Sequence, residues 1–130
     1  MAAITATTTY LGDPSKRVLL QMTTGTSGDN SADTLTSPVV RAAAFRQRLV
    51  SVEVKYSAAP THSGVSVEKD DAGGSTFDVT LATGAANGQS FLFIPDDEYF
   101  IKAGDAIRVN IPAGGGGITA TCEITMEQYP

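Results

Sequence analysis

Apolar residues fall on every second position in the last third of the chain: Ile107, Val109 and Ile111, then Ile118, Ala120, Cys122, Ile124 and Met126. Alternation with period two marks a strand with one buried face and one wet face. Residues 99–126 therefore predict a strand, a tight corner at Gly104-Asp105, a second strand, a glycine-rich hairpin tip and a long final strand. A sheet with one apolar face needs a second sheet to cover it, so a partner sheet is expected earlier in the chain.

The rest of the chain supplies it. Residues 49–57 form the clearest strand, with Val50, Val52, Val54 and Tyr56 expected on one face and Ser51, Glu53 and Lys55 on the other. Val65 and Val67 open the next strand, and Phe77, Val79 and Leu81 alternate in the one after it. Residues 90–94 are almost continuously apolar, which predicts a strand covered on both faces. Turn signals recur about every 8–12 residues from Leu49 onward, the spacing of an all-β sandwich, and seven strands are expected there.

The amino-terminal third is less regular. Residues 1–10 are rich in Thr and Ala and suit an edge strand or an arm ordered on a neighbouring subunit. Residues 11–15 read as a turn, residues 16–23 as a strand, and residues 24–33 as a polar loop. Residues 37–46 admit two readings. Ser37 could cap a helix with Pro38 at its first position, whereas Val39, Val40 and Phe45 suit a strand-like lead-in.

Composition narrows the function more than it names it. At 130 residues the chain can bury a core of its own, and only 18% of its residues are charged. Thr, Ser, Ala and Gly fill the surface positions instead, as suits a protein that packs within an assembly. Residues 1–65 hold six bases against four acids, a net of +2; residues 66–130 hold three bases against ten acids, a net of −7. The acidic half and the lack of a basic run with aromatics argue against nucleic-acid binding. No segment has the roughly 20 apolar residues of a membrane span, and the first residues lack the pattern of a secretion signal, so synthesis in a cytoplasm is expected.

Each candidate for chemistry fails a spacing test. His62, the single histidine, lies in a Pro-Thr-His-Ser-Gly loop and is expected as an exposed loop residue with no catalytic role. Cys122, the single cysteine, falls on the apolar side of the last strand and reads as a small buried hydrophobe. Glu68, Asp70, Asp71 and Asp78, or Asp96, Asp97 and Glu98, offer oxygen ligands. Neither set has the loop spacing of a calcium site, and Asp96, Asp97 and Glu98 are kept only as weak candidates. The run Gly114 to Gly117 lacks the Lys-Ser/Thr of a phosphate loop, and ordering it needs a partner or a close backbone approach. No cofactor is expected.

Three stretches carry a family resemblance: Val50-Ser51-Val52-Glu53-Val54-Lys55-Tyr56-Ser57-Ala58-Ala59-Pro60-Thr61, Asp70-Asp71-Ala72-Gly73-Gly74, and Ile94-Pro95-Asp96-Asp97-Glu98 joined to Ala103-Gly104-Asp105-Ala106-Ile107-Arg108-Val109. Over about residues 45–126 they resemble small β-sandwich virion proteins of tailed bacteriophages. The resemblance implies a non-enzymatic structural role on the particle, such as a capsid decoration (cement) protein or an accessory tail or head subunit, and no catalytic residues.

The expectation is thus an all-β, antiparallel, jelly-roll-like sandwich with an extended amino-terminal arm. Residues 1–36 form the arm and loop, and residues 37–130 the sandwich. Expected partners are a major capsid or other virion protein and further copies of the chain. Contacts are expected from Ile4, Thr7, Tyr10 and Leu11 in the arm and from Arg41, Arg46 and Arg48. The alternative is a carbohydrate- or receptor-binding module on a phage tail or bacterial surface.

Overall fold

The computed structural model describes residues 2–4, 6–11, 19–26, 32–41 and 46–129; at 2–3, 10–11, 19–26 and 129 only the backbone pairing is considered. The expected turn at 11–15 lies almost wholly outside the described residues, as do much of the loop at 24–33 and the alanine run at 42–44.

The strands are β1 (Ala2–Ala3), β2 (Thr7–Leu11), β3 (Leu19–Thr26), β4 (Asp33–Thr36), β5 (Arg46–Tyr56), β6 (Ser66–Asp70), β7 (Val79–Thr83), β8 (Ser90–Phe93), β9 (Tyr99–Lys102), β10 (Ala106–Ile111) and β11 (Ala120–Tyr129). They form a five-stranded sheet, β1-β4-β10-β6-β7, and a six-stranded sheet, β2-β3-β11-β5-β8, with β9 pairing β5 beyond β8. Every pairing is antiparallel except the short one between β1 and β4. In each sheet a late strand lies between two early ones: β10 between β4 and β6, and β11 between β3 and β5. This double Greek key is a jelly roll.

Residues 99–126 are therefore not a hairpin. β9 lies in the larger sheet, β10 in the smaller and β11 in the larger again, so the Gly104-Asp105 corner and the glycine tip both cross between layers. Of the predicted apolar set, Ile107, Val109, Ile111, Ala120, Cys122, Ile124 and Met126 stand fully buried at the centre of the interior, and Ile118 packs half-buried against it. Leu35, Val52, Val54 and Val67 meet them from the flanking strands.

The first 36 residues, expected as an arm and loop beside the sandwich, contribute four strands to its two sheets. β2 pairs with β3 as an edge strand, and β1 runs along β4, with the Ile4 amide donating to the Thr34 carbonyl at 2.7 Å. β4 falls at the end of the stretch read as a loop, since four residues with one large apolar side chain give too little periodicity to detect. Ser37 extends its pairing: its amide donates to the Ile107 carbonyl, and its hydroxyl accepts the Ile107 amide.

Three strand readings change in detail. On β5, Thr125 lies opposite Ser51 but Met126 lies opposite Leu49, so Val50 is the extra residue of a β-bulge. The bulge reverses the alternation: Leu49 and Gln47 are buried below it and Val50 is not, contrary to the simple period-two pattern. The strand also changes partner there, pairing β8 above the bulge and β9 below. β8 is not covered on both faces. Phe91 and Phe93 pack on the core, while Leu92 points to the outer face of the sheet, which no further layer covers, and is 58% exposed. Phe77 sits in a 3-10 turn (Ser75–Phe77) before β7 instead of alternating within a strand.

The bulge gives a direct test. Leu49→Ala removes a fully buried side chain and is expected to cost about 2–5 kcal/mol in urea unfolding. Val50→Ala, its neighbour, is expected to cost about 1 kcal/mol or less. Uninterrupted alternation would reverse that order.

Candidate functional site

One end of the sandwich is closed by residues 57–65, 84–89 and 112–119 around Tyr56. Burial pushes the Tyr56 phenol up to about 12, and its hydroxyl donates to the Pro112 carbonyl at 2.8 Å. His62 stacks on the ring with centroids 4.6 Å apart and an interplanar angle of 16°. Contrary to the exposed loop residue expected, His62 is 4% exposed. The Gly64 amide donates to its Nδ1 at 2.9 Å, and Nε2 lies 2.7 Å from the Gly88 carbonyl. The ring is therefore the Nε2–H tautomer, with both nitrogens engaged by backbone. It ties two loops to Tyr56 and has no nitrogen left to act as a base.

The glycine tip is ordered by the same group. A Cβ on Gly114 would lie 2.9 Å from Tyr56 Cδ1 and 2.8 Å from Ile118 Cγ2, so the backbone passes directly against the ring. The Gly114 carbonyl accepts the Thr61 amide at 3.0 Å, which joins the tip to the loop after β5. This is a close backbone approach at Gly114, the first glycine of the run.

At the opposite end the acids are neutralised by bases of the same chain. Asp71 accepts from Lys69 at 2.9 Å, from the Gly73 amide at 2.8 Å and from Lys102 at 3.4 Å, which hold its carboxyl at about 2. Asp105 is buried; its Oδ1 accepts the Ala72 amide and its Oδ2 the Lys102 amide. Lys102 is held above the usual lysine range mainly by Asp105. On the outer face of the smaller sheet, Arg108 reaches Glu68 at 2.6 Å, Asp78 at 3.1 Å and Asp70 at 3.8 Å. The Arg108 hydrogen bond leads the causes that hold Glu68 below the usual carboxylate range.

The weak metal candidates Asp96, Asp97 and Glu98 lie exposed in the β8–β9 connection. Among the described residues no group of three His, Cys, Asp or Glu is placed to hold a metal ion. Cys122 is fully buried and desolvation pushes its thiol up to about 12, which leaves it unreactive at neutral pH.

The residues expected to make contacts are scattered. Ile4 is half-buried against the chain's own core, and Thr7 is exposed at the start of β2. Tyr10 and Leu11 are paired through their backbone with Gln21 and Leu20, and their side chains lie outside the described residues. Arg41 is exposed; Arg46 lies over the Phe100 ring, 4.3 Å from its centroid; Arg48 is paired with Glu127 directly across β11. The last two are thus engaged within the larger sheet.

Sequence reasoning missed a different surface. β7 and β8 are the outermost strands of their sheets on the same flank, joined by residues 84–89. Phe77 (60% exposed) and Val79 (44%) at the start of β7 and Leu92 and Ile94 (61%) at the end of β8 are four of the five well-exposed large apolar side chains among the described residues. The signal lay in the apolar run at 90–94, which period alone could not distinguish from a covered strand.

No protein-family model and no curated protein matches the chain. Among solved structures it is similar to a Bacillus endospore-appendage pilus protein, at 11% identity over 86% of this chain and 88% of that one, with a TM-score of 0.45. It is also similar to the family 32 carbohydrate-binding module of C. perfringens NanJ solved with galactose, at 12% identity, 94% and 93% coverage, and a TM-score of 0.39. A third is the Schizosaccharomyces pombe Cnp3 cupin domain, at 7% identity, 96% and 65% coverage, and a TM-score of 0.37. These likenesses are loose, and none assigns a function.

Two outcomes test the ends. Gly114→Ala is expected to destabilise by about 1–3 kcal/mol through overlap with Tyr56, whereas Gly116→Ala, with open space around its Cβ, is close to neutral by thermal unfolding. Because the Asp71 pKa falls on folding from 3.8 to about 2, its stabilisation is present above 3.8 and is lost as pH drops through about 2. Denaturant midpoints across that window should fall less steeply in Asp71→Asn than in the wild type.

Proposed function

We propose that this chain is a non-enzymatic structural protein of a tailed-bacteriophage particle, a capsid decoration (cement) protein that binds the assembled shell and stabilises it. The observation that supports this most is the uncovered apolar flank of β7 and β8 on a domain whose polar clusters are engaged in holding its own fold. A surface with Phe77, Val79, Leu92 and Ile94 in water favours a protein that works covered by neighbours. The resemblance of residues 45–126 to small virion proteins supports the particle as the setting. A protein made in the host cytoplasm and joined to the major capsid protein needs no cofactor for this role.

Binding to the assembled shell and not to free subunits stabilises the shell by mass action, and repeated copies add avidity. The test is co-sedimentation of the purified protein with assembled capsids and with free capsid subunits. Binding to capsids alone, with a rise in the temperature of shell disruption, is the expected result. Equal binding to free subunits, or none to either, would overturn the proposal. Specific retention on a glycan array would replace it with the receptor-binding reading.

A further inference from the structure

The ring of His62 sits where loops meet, and its hydrogen bonds fit one protonation state. Nδ1 accepts the Gly64 amide at 2.9 Å, and Nε2–H donates to the Gly88 carbonyl at 2.7 Å. One ring face lies on Tyr56, and the residue is 4% exposed. The backbone around it is joined as closely. The Asn87 amide donates to the His62 carbonyl at 3.0 Å and the Gly84 amide to the Val65 carbonyl at 2.6 Å. A Cβ on Gly64 would lie 2.8 Å from the Gly84 carbonyl oxygen. Residues 57–65 and 84–89 are thus held together at the turn that the Gly64–Nδ1 bond closes.

A proton on Nδ1 undoes that turn. The imidazolium has two N–H groups and no acceptor, so the Gly64 amide loses its partner and meets a donor in its place. The charge also meets no counter-ion. Residues 57–65, 84–89 and 112–119, the segments that close this end, hold no Asp, Glu, Lys or Arg. The titratable group in contact with the ring is the Tyr56 phenol, which burial pushes up to about 12 and so keeps neutral. Next along β5, Lys55 and Glu53 pair with each other at 3.4 Å on the outer face. The Tyr56 stack and the Gly88 carbonyl favour a cation, but both are weaker than the cost of a buried charge with no ionised partner.

We infer that His62 is a proton-operated latch: a proton taken up at Nδ1 parts residues 57–65 from residues 84–89 and opens this end of the sandwich while the two sheets stay paired. The ring leaves Tyr56 for water, where its charge is solvated, and the phenol face it covered becomes exposed. The glycine tip loosens with it, since the Thr61 amide that holds the Gly114 carbonyl is adjacent to His62 in the chain. The sheets are held independently, by Ile107, Val109, Ile124 and Met126 in the core. Histidine is the side chain whose ordinary protonation falls between about pH 5 and pH 8, and this chain has a single one, so the device has one trigger. The inference adds a regulated opening to the structural role proposed above and does not depend on what the protein binds.

The test is NMR of the full chain from about pH 7 to about pH 5, above the ordinary range of carboxylates. The His62 ring shift is expected to titrate together with hydrogen exchange at Gly64 and Asn87. Their protection, corrected for the intrinsic pH dependence of exchange, is expected to fall about tenfold or more. Amides at the centre of β10 and β11 are expected to keep theirs. His62→Asn supplies the control, because an Asn side-chain oxygen accepts the amide two residues on, as Nδ1 does here, and does not titrate. Its Gly64 protection is expected to stay flat over the same range. The inference is overturned by a ring that takes up a proton while Gly64 stays protected, or by a ring that stays neutral throughout. An Asn variant that loses protection in acid as the wild type does would overturn it too, as would loss that spreads across β10 and β11. If His62→Asn does not fold, the wild-type comparison of ring and amides decides alone.

Discussion

The interior of this sandwich depends on β10 and β11 facing one another across the two layers. Ile107, Val109 and Ile111 supply one side of that contact, and Ala120, Cys122, Ile124 and Met126 the other. Neither strand pairs with its sequence neighbour. Each is inserted between two strands laid down much earlier, so neither sheet is complete until the end of the chain arrives. Such a topology has few local contacts and makes the fold cooperative: losing the final strands would open both layers at their centres. The crossing between them also explains why a glycine stands at position 114. The backbone must pass against the Tyr56 ring, and at Gly114 a side chain would collide with it.

Polar chemistry follows from the same constraint. Where the chain crosses between layers it leaves backbone groups that no strand can pair, and burial makes each of them costly. His62, Ser37 and Asp105 answer that need, each accepting or donating to main chain at a layer boundary. The groups that look most like catalytic residues on paper are those the fold uses to close its ends. Apolar side chains are left exposed at β7 and β8, the outermost strands of their sheets. Edges of sandwiches invite association unless they are charged or covered. Here Phe77, Val79, Leu92 and Ile94 leave apolar side chains in water at the edge strands.

Much of the architecture was legible from alternation. The seven strands after residue 46 and the burial of residues 107, 109, 111, 120, 122, 124 and 126 follow from period two and turn residues. The departures have specific causes. Val50 looked like a core residue because alternation assumes an unbroken ladder, and a bulge opposite Met126 breaks it. Residues 90–94 looked doubly covered because an apolar run does not say whether a second layer lies over the strand's outer face. His62 looked exposed because its three partners, Tyr56, Gly64 and the Gly88 carbonyl, come together only when separate loops meet.

By itself the sequence determined the class of fold and the face that each central strand buries. Side-chain period and turn chemistry are local properties, readable within a few residues. Only the tertiary structure decided which strands are edges, where the bulge falls, and that Gly104-Asp105 and the glycine tip link two sheets and not one hairpin. Those features depend on which distant segments pair, and pairing leaves no periodic trace along the chain. The exposed apolar side chains belong to this second kind, since exposure of Leu92 and Ile94 is set by the lack of a layer over that face among the described residues.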